Sequence, residues 1–376
     1  MTFYAKDSDV LASDQREALT KLLEQRSDVG GRFTDLKRLD SGTSGNFSAL
    51  LSAQDSQTQQ RVALKFLLPL YAGGYRDESF EREAVLLEEF CGQPDIIQLI
   101  APRADFTETL TTDQGLQIPL PFSYYALELA DTDVGSIIAN EESDPYRALL
   151  HFRAMCRAVQ RLHTNSVAHR DLKPPNFLVM PDHTVRLSDL GTARRLDGAT
   201  AALATYVAPP GDLRYAAPEM LAALHDEIPS IAFHGDFFAL GAILFEMFSG
   251  TILGTRIYDS RFVSDLMQAM SHVKRGQRRI VFDQLITPIA DSRLIPSVST
   301  FDSRVPGCLR NLLDDLVRRL ASLDYRMRLH DFARIFNRVN SCLLVLRNEE
   351  KYLHWTAERR RRREVARISW EIATYD

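Results

Sequence analysis

The sequence predicts an α+β fold of two lobes, a small antiparallel β-sheet lobe with one helix, followed by a larger and mainly helical lobe. Three observations carry this expectation. Residues 33–68 alternate apolar runs with turn-rich stretches ("RFTDLKRL", "SGTSG", "FSALLSA", "QDSQTQQ", "RVALKFLL"), the pattern of strands joined by hairpins. "DESFEREAVLLEEF" (77–90) then spaces apolar residues for one face of a helix among charges. After Asp133 the pattern turns helical, notably at 145–163, 236–249 and 307–321. At 376 residues the chain is too long for one small core, which agrees with two lobes and suggests a site between them.

Taken in order, residues 13–27 ("SDQREALTKLLEQRS") carry Leu and Ala at helical spacing and stop at Gly30 and Gly31. They predict a helical extension, residues 1–31, outside the main fold. The small lobe follows over 32–131, and "IIQLI" (96–100) and "SYYALELA" (123–130) supply two further strands. "PRADFTETLTTDQGLQIPLP" (102–121) between them reads as a hairpin loop and an insertion. The larger lobe covers 132–342, with short strands at 177–180 and 184–188 flanking "PDH". Residues 343–376 predict a basic helical extension: "ERRRRREVAR" (358–367) presents a solvated arginine face, and Trp355, Val365, Ile368 and Trp370 can pack its other side.

Bulk composition narrows the function classes. A formal net charge of -5 argues against a nucleic-acid partner. Four cysteines without CxxC spacing argue against a zinc site or a disulfide framework, and reduced thiols suit a cytoplasmic protein. The first nineteen residues carry charges where a secretory signal needs an apolar core. "FFALGAILFEMFSG" (237–250) contains Glu246 and is too short to span a bilayer, so a buried helix is expected and no membrane span.

The chemistry concentrates in "AHRDLKPPNFLV" (168–179), where His169, Arg170, Asp171, Lys173 and Asn176 share one proline-stiffened loop. A plain surface turn explains the prolines and an Asp171–Lys173 pair, but not the other three. Upstream, "SGTSGNF" can lay backbone N–H groups over phosphates, although any tight turn would use Gly42 and Gly45. In "VALK", Lys65 is flanked by apolar residues, so a buried ammonium there needs a partner, and Glu83 on the next helix can be it. Asp189 in "SDLGTAR" is placed to bind a divalent metal beside Asn176. Glu219 in "RYAAPEM" can bury against Arg328 in "DYRMR", and Asp236 in "HGDFFALG" can hold the catalytic-loop backbone.

In order and spacing, these motifs make the chain from about Arg32 to about Asn340 resemble a eukaryotic-type protein kinase, of the Ser/Thr-like class because Lys173 and Pro174 follow Asp171. The resemblance implies transfer of the ATP γ-phosphate, with magnesium, to hydroxyls of a protein substrate. It assigns Gly42 and Gly45 to the phosphate-covering loop, Phe47 to packing on adenine, Ala63 to the roof of the adenine pocket and Leu178 to its floor. Lys65 would hold the α and β phosphates and pair with Glu83, Leu127 would be the gatekeeper, and Glu128 to Ala130 the hinge. Asp171 would accept the substrate proton, Lys173 steady the transferring phosphate, and Asn176 and Asp189 hold metal. His169 would join Leu87 and Leu190 in an apolar spine, and Arg170 would face a phosphate on the activation segment, at Thr200 or Thr205.

Three positions depart from the pattern. Asp40 replaces the first loop glycine, Leu190 the usual Phe, and Asp212 a Thr. Asp212 is expected to accept a bond from Lys173, the alternative being a turn outward to Arg214 or to water. Two rival functions are a pseudokinase-type scaffold and a small-molecule phosphotransferase of kinase-like fold. The intact Lys65, Glu83, Asp171, Asn176 and Asp189 oppose the first, and the Ala-Pro-Glu segment at 217–219 opposes the second.

Overall fold

The computed structural model describes residues 17–39, 48–111, 115–140, 144–197, 211–300 and 305–348, together with 358, 359, 361 and 362. The chain folds as two compact units, one of residues 1–140 with 157–211 and one of residues 141–156 with 212–376.

The first unit is built on an antiparallel sheet of six strands: β1 (Asp28–Val29), β2 (Phe33–Arg38), β3 (Ser48–Asp55), β4 (Arg61–Leu67), β5 (Leu99–Thr111) and β6 (Gln117–Glu128), in spatial order β1-β2-β3-β4-β6-β5. Alternation in "RVALKFL" sends Val62, Leu64 and Phe66 into an apolar core on one face. Ala63 and Lys65 therefore take the other face. A helix, α1, is described from residue 17 to 24, and its Leu23 is fully buried in that same core with Val29, Phe33 and Leu51. Residues 17–29 are thus part of the small lobe's packing rather than an appendage, because an apolar sheet face left bare would sit in water.

The stretch expected as an inserted loop is strand. β5 and β6 pair without interruption from Phe106↔Phe122 to Thr111↔Gln117, and Phe106 stacks on Phe122 with ring centroids 5.4 Å apart. Pro119 and Pro121 disguised this. They are tolerated because β4 pairs only with residues 123–128 of β6, so beyond that point β6 has an open edge that needs no N–H donors.

Helix α2 (Tyr75–Glu89) follows β4, with Asp77 and Glu78 in its first turn complementing the helix dipole. Its buried positions include Phe80, Glu83, Ala84 and Leu87, so one carboxylate lies inside an apolar stripe. Residues 157–211 add the short strands β8 (Val167–Ala168), β9 (Phe177–Val179), β10 (Val185–Leu187) and β11 (Arg194–Arg195) to this unit, β9 pairing with β7 (Thr132–Asp133). The Leu187 carbonyl accepts from Ile97 N at 3.0 Å, and Leu187 N donates to the Asp95 carbonyl at 2.9 Å, which ties β10 to the turn between α2 and β5.

The second unit is helical among its described residues. Its central helix Ile231–Ser249 is mostly buried inside the protein, as its apolar sequence predicts. Gly241 permits the close approach of helix Arg310–Leu320, since a Cβ there would stand 2.7 Å from both Leu320 Cβ and Ala321 N. The expected Glu219–Arg328 pair forms with both side chains fully buried, Arg328 Nη2 lying 3.1 Å from Glu219 Oε2. Of the arginine-rich segment, residues 358, 359, 361 and 362 are described; they are helical and exposed, with Arg362 paired to Glu358. The packing expected of Trp355, Val365, Ile368 and Trp370 lies outside the described residues.

Candidate active site

The first unit gathers two charged clusters. In one, Lys65 Nζ stands 2.7 Å from Glu83 Oε2 and 3.1 Å from Asp189 Oδ1, joining groups up to 124 residues apart. The register of β4 sets Lys65 on the inner sheet face, the helical stripe of α2 turns Glu83 to meet it, and the β10 anchor carries Asp189 alongside. Burial works to discharge Lys65, but the carboxylates of Asp189 and Glu83 outweigh it and hold the ammonium charged. For Asp189 burial likewise opposes the charge, and the Lys65 and Lys173 ammonium groups prevail, holding its carboxyl down at about 2.

In the other cluster, Lys173 Nζ donates to Asp171 Oδ2 at 2.9 Å, and Asn176 Nδ2 donates to the Asp171 carbonyl at 2.8 Å. Burial raises the Asp171 carboxyl against the pull of Lys173, which suits a group that must take up a proton. The tie from Asn176 commits its amide nitrogen and leaves Oδ1 as the atom able to ligate. Ser188 fixes the same residue, its N and Oγ lying 2.8 and 3.0 Å from the Asn176 carbonyl oxygen. An Asn oxygen and the Asp189 carboxylate are hard oxygen donors, the chemistry that divalent cations take.

Backbone geometry here is unusual. Arg170 and Asp189 both adopt left-handed conformations, with φ of 68° and 59°, which non-glycine residues hold only where surrounding bonds enforce them. Those bonds are visible: Arg170 Nε donates to the Thr192 carbonyl at 2.8 Å, Thr192 Oγ1 to the His169 carbonyl at 2.9 Å, and His169 Nε2 lies 3.1 Å from the Ser188 carbonyl. His169, Leu87 and Leu190 are each fully buried.

The residues expected to enclose adenine lie on β4, at and just after the end of β6, and on β9. Ala63 lies two residues before Lys65 on the same face of β4, directly opposite Leu127. Glu128 ends β6, and Ala130 and Leu178 are half-buried. Glu128 also accepts from Gln98 N at 2.7 Å and pairs with Arg186, contacts that no sequence motif announced. Equally unannounced, Ser79 Oγ and Arg82 Nη1 donate to the Gly191 carbonyl at 2.7 and 2.9 Å, strapping α2 to the turn after Asp189. The sequence did hold a signal, since Ser79 and Arg82 recur at helical spacing with Glu83. Gly42, Gly45 and Phe47, with Asp40, lie outside the described residues, as do Thr200 and Thr205.

Asp212 begins the second unit. It accepts the Arg214 amide at 2.9 Å and the Arg214 guanidinium at 2.6 to 3.1 Å. The planar fork of Arg matches a carboxylate two residues away. Asp236 is buried in the central helix.

Comparison with known proteins agrees with this geometry. The protein kinase domain model matches residues 38–333. A stress-activated protein kinase JNK from Suberites domuncula is 27% identical over 225 residues, covering 60% of this chain and 56% of that protein. Mitogen-activated protein kinase 15 from Mus musculus is 30% identical over 229 residues, 59% of this chain and 38% of the relative. A probable serine/threonine-protein kinase KIN1 homolog from Enterocytozoon bieneusi is 27% identical over 278 residues, 73% and 41% of the two chains. This chain therefore spans less than two thirds of each relative. A model matched across most of the chain, on a fold that brings Lys65, Glu83 and Asp189 together, makes this chain a member of the protein kinase domain family.

Proposed function

We propose that this chain is a protein serine/threonine kinase that transfers the γ-phosphoryl group of ATP, with magnesium, to a hydroxyl of a protein substrate. The observation that carries the reading is the pairing of a charged Lys65 with both Glu83 and Asp189, beside an Asp171 already held by Lys173 and Asn176. Phosphoryl transfer asks for alignment and charge neutralisation more than for covalent chemistry.

Each residue has a role in that frame. Lys65, oriented by Glu83, binds the α and β phosphates, and Gly42 and Gly45 cover them while Phe47, Ala63 and Leu178 enclose adenine. The backbone from Glu128 to Ala130 reads its edge. Asn176 Oδ1 and the Asp189 carboxylate would hold the cation, which would supply charge neutralisation for the transferring phosphate. Asp171 takes the proton from the acceptor hydroxyl as its oxygen bonds to phosphorus and the bond to the ADP oxygen breaks. Lys173 offsets the charge on the moving group.

The serine/threonine class follows from Lys173 and Pro174 after Asp171, in keeping with the printed name of the Enterocytozoon relative. A cytoplasmic location is in keeping with four cysteines held as thiols, three of them buried. Incubation with ATP, magnesium and a mixed Ser/Thr protein acceptor, read by intact mass and phosphopeptide mapping, tests the proposal. Phosphate on Ser or Thr is expected; phosphate on a small molecule only, or ATP bound without turnover, would overturn it.

A further inference from the structure

Tyr125 is the largest polar side chain near the Lys65 cluster that the roles above leave unused. It lies on β6 directly opposite Lys65 in the antiparallel register, so the two side chains leave the sheet from the same face. The residue is fully buried. Its ring packs on Phe80 of α2, centroids 4.6 Å apart, and Phe80 precedes Glu83 by one helical turn. Tyr125 thus touches the helix that carries Glu83 and faces the strand that carries Lys65.

The hydroxyl is anomalous. It is sealed from water yet closes no hydrogen bond, a condition that buried hydroxyls rarely tolerate without a purpose. Glu83, Lys65 and Asp189 are the charged groups that act on it, and its contact with the Glu83 carboxylate falls short of full hydrogen-bond geometry. Glu83 for its part is a carboxylate with 3% of its side chain exposed, and Lys65 is its charged partner. That ammonium is already divided between Glu83 and Asp189.

We propose that Tyr125 is a positioning residue for nucleotide binding, whose hydroxyl donates to Glu83 when Lys65 turns its remaining donors to phosphate. This rests on the phosphate-binding role proposed for Lys65. An ammonium has three protons, and phosphate oxygens compete for them with Glu83. A buried carboxylate whose cation is drawn away must find another donor or lose its charge. The phenol supplies one without adding charge. Phe80 keeps the ring in place, so closing the bond needs only a small shift of α2 or a turn of the O–H. The result is a Glu83 that stays ionised and keeps Lys65 aimed at the phosphates.

Tyr125→Phe tests this with the loss of one oxygen that makes no bond in this structure. Affinity for a fluorescent, non-hydrolysable ATP analogue with magnesium should fall about tenfold, and KM for ATP should rise to match, as for loss of a hydrogen bond to a charged group. Turnover at saturating ATP should stay within about twofold, KM for the protein acceptor should not move, and the melting temperature of the unliganded chain should hold within about 2 °C. In a Glu83→Gln background the same change should alter nucleotide affinity less than about twofold, because the hydroxyl acts through the carboxylate. Wild-type affinity in Tyr125→Phe, or an equal loss in both backgrounds, would overturn the role while leaving the kinase reading intact. A wild-type chain that binds no nucleotide would overturn both.

Discussion

Replacing Arg328 by Met should unfold the helical unit well below the melting temperature of the wild type. The Arg328 side chain is fully buried and spends its donors on three partners: the Glu219 carboxylate through both terminal nitrogens, the Ser322 carbonyl at 2.7 and 3.1 Å, and the His234 carbonyl at 2.7 Å. Met fills much of the volume but satisfies none of these. Glu219, also fully buried, would be left as an uncompensated charge, a loss of about 3–5 kcal/mol. For a unit of this size each kcal/mol moves the midpoint by about 2–4 °C, so a fall of about 6–20 °C is expected in differential scanning calorimetry. Glu219→Gln with Arg328→Met should recover part of it, since a neutral amide costs less to bury than a lone carboxylate. A fall of under about 3 °C in Arg328→Met would refute the argument, because it would mean that the pair is not buried in solution.

Other expectations concern the site and the sheet. Asp171→Asn and Asp189→Asn should each lower phosphoryl transfer by at least about a thousandfold with unchanged circular dichroism, and the Asp189 variant alone should lose the magnesium-dependent thermal shift given by ATP. Because burial raises the Asp171 carboxyl and Lys173 opposes it, the acid limb of kcat/KM should lie above the ordinary carboxylate range. Lys173→Met should move that limb to higher pH. Asp55, bonded to the Arg32 guanidinium at 2.8 Å twice, to Thr58 Oγ1 and to Gln57 N, is held below its ordinary value, first by Arg32. A depressed carboxyl stabilises the fold above its unfolded value near pH 4 and loses that contribution as pH falls through its folded value. Asp55→Asn should therefore destabilise the chain at pH 7 and flatten the acid limb of its stability curve; an unchanged limb in urea titrations would count against this.

The sequence by itself determined the elements that carry the site and the identities of its charged residues. Apolar alternation around Lys65 and the helical stripe around Glu83 are local patterns, so an ammonium and a carboxylate in apolar settings already implied each other. Glu219 and Arg328 were legible only as motifs, through their order and spacing with the others. Where the sequence misled, the deciding interaction was distant. Pro119 and Pro121 look like loop residues until β6 is seen to have one open edge there. Leu23 looks like part of a free helix until the bare face of the sheet requires a cover. Only the tertiary structure could decide that Gly191 is strapped by Ser79 and Arg82, that Arg170 and Asp189 hold left-handed backbones, and that the Tyr125 hydroxyl lies against Glu83 without a bond. These depend on strand register and on the seating of a helix against a loop more than a hundred residues away, quantities set by packing the whole unit and by no local run of residues.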